Sequence, residues 1–292
     1  MLSSYGIIVK VKLMKIIMPI VSIILPSYKQ AQYISQAINS VLGQSFLDWE
    51  LIIIDDGLVS DTRQLITGYS QKDSRIIVFS NPKNLGIQKS LNKGLSMAKG
   101  RYIARIDDDD QWIDNDKLKK QIDFLEINTD YVLLGTNAII CDEKMIDLQT
   151  YSMPGSDLEI RNRLLFKNCF LHSSVIIRKS ALDKIGGYVE SKRARNVEDY
   201  DLWLRLGRVG KINNLDIKST RIIVCSNTIT SKNRLMQAGR DMVLTFRYRR
   251  YYPYFFFALL IGLLRYLFFC AYAIFPISNK VLYKLQSMYK AI

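Results

Sequence analysis

The sequence predicts an α/β fold in which a mainly parallel sheet carries helices on both faces. Short apolar runs rich in β-branched residues alternate with helical patterns in the first half of the chain. That order is expected of strand–helix–strand units with right-handed crossovers. Acidic residues directly follow two of the runs, at Asp55–Asp56 and at Asp107–Asp110. Because ligands of open α/β sheets bind beyond the carboxyl ends of the strands, this edge is the predicted binding site.

Each element follows from its own pattern of apolar residues. Alternation and β-branched content predict six strands, at Val21–Leu25, Glu50–Ile54, Ile76–Phe79, Arg101–Ile106, Tyr131–Ile140 and Ser173–Ile177. Apolar residues at helical spacing predict four helices, at Ile34–Leu42, Ile87–Ala98, Lys117–Asn128 and Glu198–Leu206. Asn84 is a candidate N-cap for the second of these helices, and Gly100 a stop signal after it.

Composition excludes several classes of protein. The 292 residues are 49% hydrophobic, which suits one large domain or two smaller ones and excludes disorder as the main state. The four cysteines lie far apart and form no C-x-x-C pair, so a disulfide framework or zinc ribbon is not expected and a reducing compartment fits best. Walker A, G-x-G-x-x-G and H-E-x-x-H motifs do not occur.

The net charge of +14 is concentrated at the C-terminal end. From Arg205 onward the chain has 15 Lys and Arg against two acidic residues, whereas the first 204 residues carry a net charge of only +1. A basic protein first suggests a nucleic-acid partner. Here the acidic segments lie in the nearly neutral part, so nucleic acid is not the expected ligand.

The clustered carboxylates have two explanations. Carboxylates that meet at one sheet edge repel each other unless a cation lies between them, and a hard divalent ion holding a diphosphate would fit. Alternatively each Asp caps the following turn, although one cap does not need the four residues Asp107–Asp110. Glu198 and Asp199 open a helix, where acidic residues are also favoured by the dipole. His172, the single histidine, is either a site residue or a hydrogen-bonded core residue.

Taken in order, these motifs resemble glycosyltransferase family 2. The matching segments are Val21–Tyr28, Asp55–Gly57, Asn84–Gly86, Asn92, Gly100–Ile103, Asp107-x-Asp109-Asp110, Gly186–Tyr188 and Glu198–Asp199. The resemblance covers roughly residues 21–210 and implies a GT-A fold and an inverting, non-processive transferase that uses a nucleotide sugar.

The resemblance also implies residue roles. Pro26 and Tyr28 would lie at the nucleotide base, and Asp56 would hydrogen-bond it. Asp107 and Asp109 match the D-x-D motif, in which Asp109 would bind Mg²⁺ or Mn²⁺, and Asp108 is counted with the nucleotide-sugar residues. Asp199 matches the general base. The acceptor side is assigned to Glu198, His172 and Trp203.

The expected domains follow from these assignments. Residues 1–19 form a dispensable extension, since Met14 and Met18 are alternative starts. Residues 20–215 form the GT-A domain, with a nucleotide-sugar half at about 20–112 and an acceptor half at about 113–215. Residues 216–292 form a basic, aromatic C-terminal region.

Within the C-terminal region, residues 254–275 contain one charge, Arg265, in 22 residues. As a helix this segment would be about 33 Å long, enough to cross a hydrocarbon core. Basic residues flank both ends, and a central charge is costly in lipid, so an interfacial helix or shallow re-entrant hairpin on the cytoplasmic face of the membrane is favoured over a span. A helix packed on the domain remains the alternative.

The predicted function is transfer of a sugar from a nucleotide-diphosphate donor, UDP-type favoured, to a saccharide or lipid-linked acceptor in surface polysaccharide or lipopolysaccharide biosynthesis. The alternative is a catalytically degenerate protein of the same fold that acts as a membrane-anchored binding subunit. The altered loop after Asp56 (Leu58-Val59-Ser60-Asp61) motivates the alternative, and the intact acidic motifs argue against it.

Overall fold

The computed structural model describes residues 18–29, 32–57, 60–224 and 234–274. Nine strands lie within these ranges: β1 Val21–Ser27, β2 Trp49–Asp55, β3 Ile76–Ser80, β4 Tyr102–Arg105, β5 Gln111–Trp112, β6 Tyr131–Cys141, β7 Asp147–Tyr151, β8 Ile176–Arg178 and β9 Lys211–Ile223. The helices described are α1 Ile34–Leu42, α2 Ser60–Lys72, α3 Ile87–Met97, α4 Lys117–Ile127, α5 Asp157–Arg163, α6 Lys179–Ile185, α7 Glu198–Leu206, α8 Arg234–Tyr248 and α9 Phe255–Ile274. The first seventeen residues, the altered Leu58-Val59 positions and the tail lysines at 280, 284 and 290 lie outside the described ranges.

The strands form one mixed sheet in the order β3-β2-β1-β4-β8-β6-β9-β5, with β7 paired to β6. The first four strands are parallel, as the alternating pattern predicts. Beyond β4 the pairings are antiparallel, except that β6 and β9 run parallel. Strand β9 continues through residue 216, and the domain boundaries remain a prediction.

Both faces of the sheet are covered, which explains why β1, β2 and β4 are buried at every position and are mainly apolar. Along β1, Ile24 belongs to one core and Ile23 and Leu25 to the other. The first core contains residues of α3, α5, α7 and α8, and the second contains residues of α1, α2 and α4. A doubly covered sheet leaves its strand ends as the place where a ligand can enter.

The predicted end of the first strand at Leu25 is wrong, because β1 continues to Ser27 and Pro26 pairs with Ile54 of β2. The Ile106 N–H donates to the carbonyl of Ile24, so the backbone N–H and C=O of Ile24 point towards β4. In a strand the backbone groups of alternate residues point to the same side, so the backbone nitrogen of Pro26 also points towards β4. Strand β4 ends at Arg105, opposite Ile24. Pro26 therefore lies beyond the β4 ladder, where its missing N–H leaves no hydrogen bond unmade.

Asn84 does not cap α3. The helix begins at Ile87, and Gly86 occupies the N-cap position with φ of +84°, a conformation that favours glycine. The backbone N–H groups of Leu85 and Gly86, just before the helix, donate to the carboxylate of Asp56, which directly follows β2.

Helix α8 and the loop that follows it pack on α7 through buried polar contacts. The Tyr248 hydroxyl donates to Asp201 Oδ1 at 2.8 Å, and the Tyr252 hydroxyl donates to the Leu204 carbonyl at 2.7 Å. Asp201 is fully buried and also pairs with Arg205, one turn along α7, at 2.7 Å. The C-terminal helices therefore supply part of the hydrogen bonding of a charge buried in α7.

Helix α9 is the one helix, among the described residues, that is long and apolar enough to cross a membrane. Its outer face is exposed over Phe256, Leu260, Leu264 and Leu267. Arg265 does not lie on that face: it forms an ion pair with Asp241 of α8. The charge that argued against a full membrane span therefore faces the protein.

Replacing Tyr248 with Phe should destabilise the protein. The change leaves Asp201 Oδ1 buried with only Arg247, at 3.5 Å, in reach. A buried acceptor left without its donor costs roughly 1–3 kcal/mol, so the midpoint of thermal unfolding should fall by several degrees.

The matched control is Tyr254→Phe, since Tyr254 is 58% exposed. Differential scanning calorimetry on both variants is the measurement. Equal midpoints for the two variants would contradict the structural role of the Tyr248–Asp201 contact.

Candidate functional site

The loops after β1, β2 and β4 meet at the carboxyl edge of the parallel strands. The backbone N–H of Tyr28 donates to Asp108 Oδ2 at 2.9 Å, which joins the end of β1 to the aspartate cluster. A Cβ on Gly57 would lie 2.9 Å from the backbone nitrogen of Lys29, so only glycine fits there. The predicted base-contact segment, the Asp55–Gly57 turn and the aspartates thus form one surface.

Asp56 is buried and holds the loop that precedes α3. Its Oδ1 accepts from Asn81 Nδ2 and from the Leu85 N–H, and its Oδ2 accepts from the Gly86 N–H, each at 2.8 Å. A carboxylate has about four acceptor positions, so three of them are used within the protein. The main structural role of Asp56 is therefore to fix the Asn81–Gly86 loop beside Tyr28 and Gly57.

Asp107 is held from two sides. Both terminal nitrogens of Arg105 contact its two carboxylate oxygens, in a bidentate pair. The Ser173 hydroxyl donates to Asp107 Oδ2 at 3.2 Å and accepts from the Asp107 N–H at 2.9 Å. The Arg105 side chain is 4% exposed and that of Asp107 is 35% exposed, so the pair joins a buried cation to a carboxylate that remains accessible from the site.

The other aspartates of the cluster ionise less readily than free carboxyl groups. Burial and the charge of Asp109 raise the pKa of Asp108 to about 7. Burial and the charge of Asp107 raise the pKa of Asp109 to about 6. Burial also raises the pKa of Asp110. One arginine does not balance four carboxylates, so this edge favours an additional cation.

The donor chemistry of the cluster fits Mg²⁺ or Mn²⁺, which prefer carboxylate oxygens. No group of three or more His, Cys, Asp or Glu side chains suited to hold a metal was found among the residues that the structure describes. An ion at Asp109 would therefore take its remaining ligands from water and from a bound anion. A diphosphate would provide such oxygens.

Glu198 and Asp199 occupy the first turn of α7. Burial raises the pKa of Asp199 above its usual value, while a hydrogen bond from Asn168 Nδ2 at 2.9 Å and the charge of Arg105 favour its ionised form. Burial and the charge of Asp199 raise the pKa of Glu198 to about 7. Glu198 Oε2 is buried without a hydrogen-bond partner within the described ranges.

Arg105 brings the two acidic groups into one site. Its charge acts on Asp107 and Asp109 and also on Glu198 and Asp199. The Arg105 Nε has no hydrogen-bond partner among the residues described. Carboxylates about ninety residues apart in sequence therefore lie within electrostatic reach of one buried cation.

His172 and Trp203 form an aromatic wall beside this cation. His172 Nε2 lies 2.7 Å from the Tyr188 hydroxyl, and its ring packs edge-on against Trp203 with 5.6 Å between centroids. Burial and the charge of Arg105 lower the pKa of His172 well below its usual value, so the ring is neutral. Trp203 is completely buried, so it supports His172 from behind.

The predicted site residues thus occupy three positions. Asp56 and Asp107–Asp109 lie together at the strand ends, Glu198 and Asp199 lie in the first turn of α7 within electrostatic reach of Arg105, and Tyr28 is exposed at the rim. Pro26 lies within β1.

Sequence reasoning missed Arg105 and Asn168. A charged residue inside the apolar run Tyr102–Ile106, directly before the aspartates, is the signal that could have identified Arg105.

Asn92 has a structural role in the same region. Its side-chain oxygen accepts from the Tyr188 N–H at 2.9 Å, and its Nδ2 donates to the Tyr188 carbonyl at 2.9 Å and to Glu190 at 2.8 Å. A Cβ on Gly187 would lie 2.8 Å from Asn92 Oδ1, and Gly187 has a positive φ of 69°. The Gly187–Tyr188 segment is therefore fixed to α3, which orients the Tyr188 ring towards His172.

Comparison with known proteins identifies the family. A family model described as Glycosyl transferase family 2 matches residues 22–186. The UDP-Glc:alpha-D-GlcNAc-diphosphoundecaprenol beta-1,3-glucosyltransferase WfgD of Escherichia coli is 34% identical over 221 residues, which cover 75% of this chain and 79% of WfgD.

Two solved structures share the fold. The crystal structure of S. aureus TarS 1-349 in complex with UDP-GlcNAc is 18% identical, with a TM-score of 0.67 over 89% of this chain and 76% of that chain. The mannosyltransferase PcManGT from Pyrobaculum calidifontis, in complex with GDP-Man and Mn²⁺, is 14% identical, with a TM-score of 0.60 over 94% of this chain and 81% of that chain. The chain therefore belongs to glycosyltransferase family 2 and is a glycosyltransferase with a GT-A-like fold.

Proposed function

We propose that this protein is an inverting, metal-assisted glycosyltransferase that moves a sugar from a nucleoside diphosphate to a hydroxyl of a saccharide acceptor. The single observation that carries this proposal is the grouping of the Asp107–Asp109 cluster and Asp199 around the buried Arg105. Inversion requires attack from the face opposite the leaving group, so the base and the leaving-group site must come from different segments.

The donor is assigned to the strand-end surface. Tyr28 and the segment at Pro26 would contact the nucleotide base, with Asp56 supporting the surface through the Asn81–Gly86 loop and offering its remaining acceptor position. A UDP-type donor is favoured, in keeping with the donors named for WfgD and for the TarS complex.

Asp109, with Asp107 beside it, would hold Mg²⁺ or Mn²⁺. When bound, the ion supplies positive charge that stabilises the departing diphosphate. The Arg105 guanidinium holds Asp107 in a fixed orientation and keeps its carboxylate ionised, so that the cluster retains its charge for the ion.

Asp199 is the proposed general base. Its carboxylate accepts the proton of the acceptor hydroxyl while that oxygen bonds to the anomeric carbon and the bond from this carbon to the diphosphate breaks. Asn168 donates to one carboxylate oxygen, and the backbone N–H groups of Asp199 and Tyr200 also hydrogen-bond this carboxylate, so that it is held in a fixed orientation for the incoming proton. A positioned base contributes about 10²–10⁴-fold to the rate.

The proposed acceptor is a saccharide linked to a membrane lipid, as in assembly of a surface polysaccharide or lipopolysaccharide. WfgD, by its name, acts on a sugar carried by diphosphoundecaprenol. In this chain, the exposed apolar face of α9 would lie on the cytoplasmic face of the membrane, with His172 and Glu198 on the acceptor side. An interfacial position is favoured over a span because α9 also packs on α8 and on the domain, through Arg265–Asp241 and Phe257–Phe166.

Replacing Asp199 with Asn should abolish transfer while retaining the donor site. We expect the rate of transfer to fall by about 10²-fold or more, because the amide cannot accept the proton. Binding of UDP with Mn²⁺, measured by isothermal titration calorimetry, should stay within about twofold, since Asp199 is not part of the strand-end surface.

The matched control is Asp123→Asn, the same change at an exposed carboxylate that pairs with Lys119. Undiminished transfer by Asp199→Asn would show that Asp199 is not the base. If Glu198→Gln loses transfer while Asp199→Asn retains it, Glu198 is the base instead. A wild-type protein that neither binds nor uses any nucleotide sugar with Mn²⁺ would favour the degenerate binding subunit instead.

Membrane contact through α9 should depend on its outer face. Replacing Phe256, Leu260 and Leu264 with Ser removes three exposed side chains, each of which would contribute about 1.5–3 kcal/mol if buried in lipid. We expect co-flotation with anionic phosphatidylglycerol vesicles to fall at least about tenfold.

Leu47, Ile127 and Leu158 are equally exposed apolar residues on other elements, so their replacement by Ser is the control. Unchanged flotation of the α9 variant would refute this membrane contact. Far-ultraviolet circular dichroism on both triple variants verifies that the fold is retained.

A further inference from the structure

An open cleft of about 620 Å³ lies between the segment that precedes α7 and the two C-terminal helices. We refer to it as the basic cleft. Its size is within the range of about 300–1,000 Å³ that is usual for ligand pockets. None of the residues that we assign to the nucleotide-sugar donor or to the metal lines this cleft, so it is a separate candidate binding site.

One wall of the basic cleft is cationic. Lys192 and Arg193 come from the segment before α7, and Arg240 comes from α8. These three side chains form no ion pair with any residue in the described ranges, although Arg240 donates a hydrogen bond to the Arg195 carbonyl. The adjacent Asp241 is paired with Arg265, so its charge is already compensated. The cationic wall therefore favours an anion.

The apolar wall of the basic cleft is formed by Leu235, Met236 and Val243 of α8 and by the ring of Tyr266 of α9, and Arg240 lies on α8 between Met236 and Val243. Met236 and Val243 are each about half exposed, and α9 continues from Tyr266 into the exposed apolar face that we assign to the membrane surface. A ligand that satisfies both walls carries a compact anionic group on a long apolar chain.

The cleft adjoins the proposed base. Its cationic segment leads directly into α7, where Asp199 lies in the first turn. Asp241, next to Arg240, is close enough for the charge of Asp199 to raise its pKa. A phosphate bound to the cationic wall would therefore hold an attached sugar near Asp199, whereas a phosphate on the far side of the domain would not.

We propose that the basic cleft binds the lipid diphosphate of the acceptor, with the diphosphate on Lys192, Arg193 and Arg240 and the first part of the prenyl chain along the apolar wall. This inference rests on the proposed function and names the acceptor class of that same site: a saccharide carried by a polyprenyl diphosphate.

The binding experiment uses the full-length protein with UDP and Mn²⁺ at saturation, so that the donor site is occupied. The probes are farnesyl diphosphate, farnesol and inorganic diphosphate, measured by isothermal titration calorimetry. We expect farnesyl diphosphate to bind at least about tenfold more tightly than either of the other two, because only it satisfies both walls. Equal binding of inorganic diphosphate, or equal binding of farnesol, would overturn the proposal.

Two sets of variants assign the binding to this cleft. Lys192→Glu with Arg193→Glu should weaken farnesyl diphosphate binding about tenfold or more, and Met236→Ser with Val243→Ser should remove the advantage of farnesyl diphosphate over inorganic diphosphate. Lys72→Glu with Lys144→Glu is the matched control, since both lysines are exposed on other elements. Binding unaffected by the first two pairs would place the ligand elsewhere and overturn the assignment.

Activity separates this inference from the proposed function. If the wild-type protein transfers sugar equally well to an acceptor with and without the prenyl diphosphate, the glycosyltransferase assignment stands and the cleft assignment falls. If the protein binds farnesyl diphosphate in the cleft but transfers sugar from no donor, the cleft assignment stands and the proposed function falls.

Discussion

The ion pair between the buried Arg105 and the partly exposed Asp107 is the interaction on which the rest of the site depends. Burying a guanidinium costs several kcal/mol unless it is paired, and here Asp107 supplies the pairing through one hydrogen bond and a second close contact. The same cation lies within electrostatic reach of Asp199. Removal of Arg105 would leave a set of mutually repelling carboxylates at the strand ends, and its presence allows acidic groups of both halves to share one site.

A second constraint links the C-terminal helices to the proposed base. Asp201, two residues after Asp199, accepts a hydrogen bond from Tyr248 of α8, and α8 is in turn paired to α9 through Asp241 and Arg265. The helix with the apolar outer face is therefore tied to the helix that bears the base. If α9 lies on a membrane as proposed, membrane contact and acceptor positioning use the same structural unit.

The first half of the fold could be predicted from the sequence because its signals are local and unmixed. Strands buried on both faces read as continuous apolar runs, and α7 begins and ends where the apolar spacing places it. Strand β9, with thirteen residues, was not predicted, because many of its positions are polar. Ser219 and Thr220 are buried through hydrogen bonds with each other and, for Ser219, with Thr136 of β6, and such pairs look like a loop in the sequence. Helix α2 was missed because it has no clear apolar stripe.

The site was predictable only in part. The aspartates could be placed because they follow strands, and the family resemblance supplied their roles, which remain proposals. Asp56 accepts three hydrogen bonds from the Asn81–Gly86 loop. The sequence could not predict them, because hydrogen bonding between separate loops has no sequence signature. The convergence on Arg105 was equally hidden, since β4 and α7 are brought together only by tertiary packing.

The most direct test of the shared role of Arg105 is the pH dependence of the transfer rate, at saturating donor and Mn²⁺, for Arg105→Gln and Arg105→Lys. Asp199 acts as a base only when ionised, so transfer is lost as the pH falls through its pKa, which burial raises and the charge of Arg105 lowers. Arg105→Gln removes that charge and should move the acid limb to higher pH, whereas Arg105→Lys should leave it near the wild-type position. An acid limb of Arg105→Gln that coincides with the wild-type limb would contradict the claim that one buried cation serves both the aspartate cluster and the base.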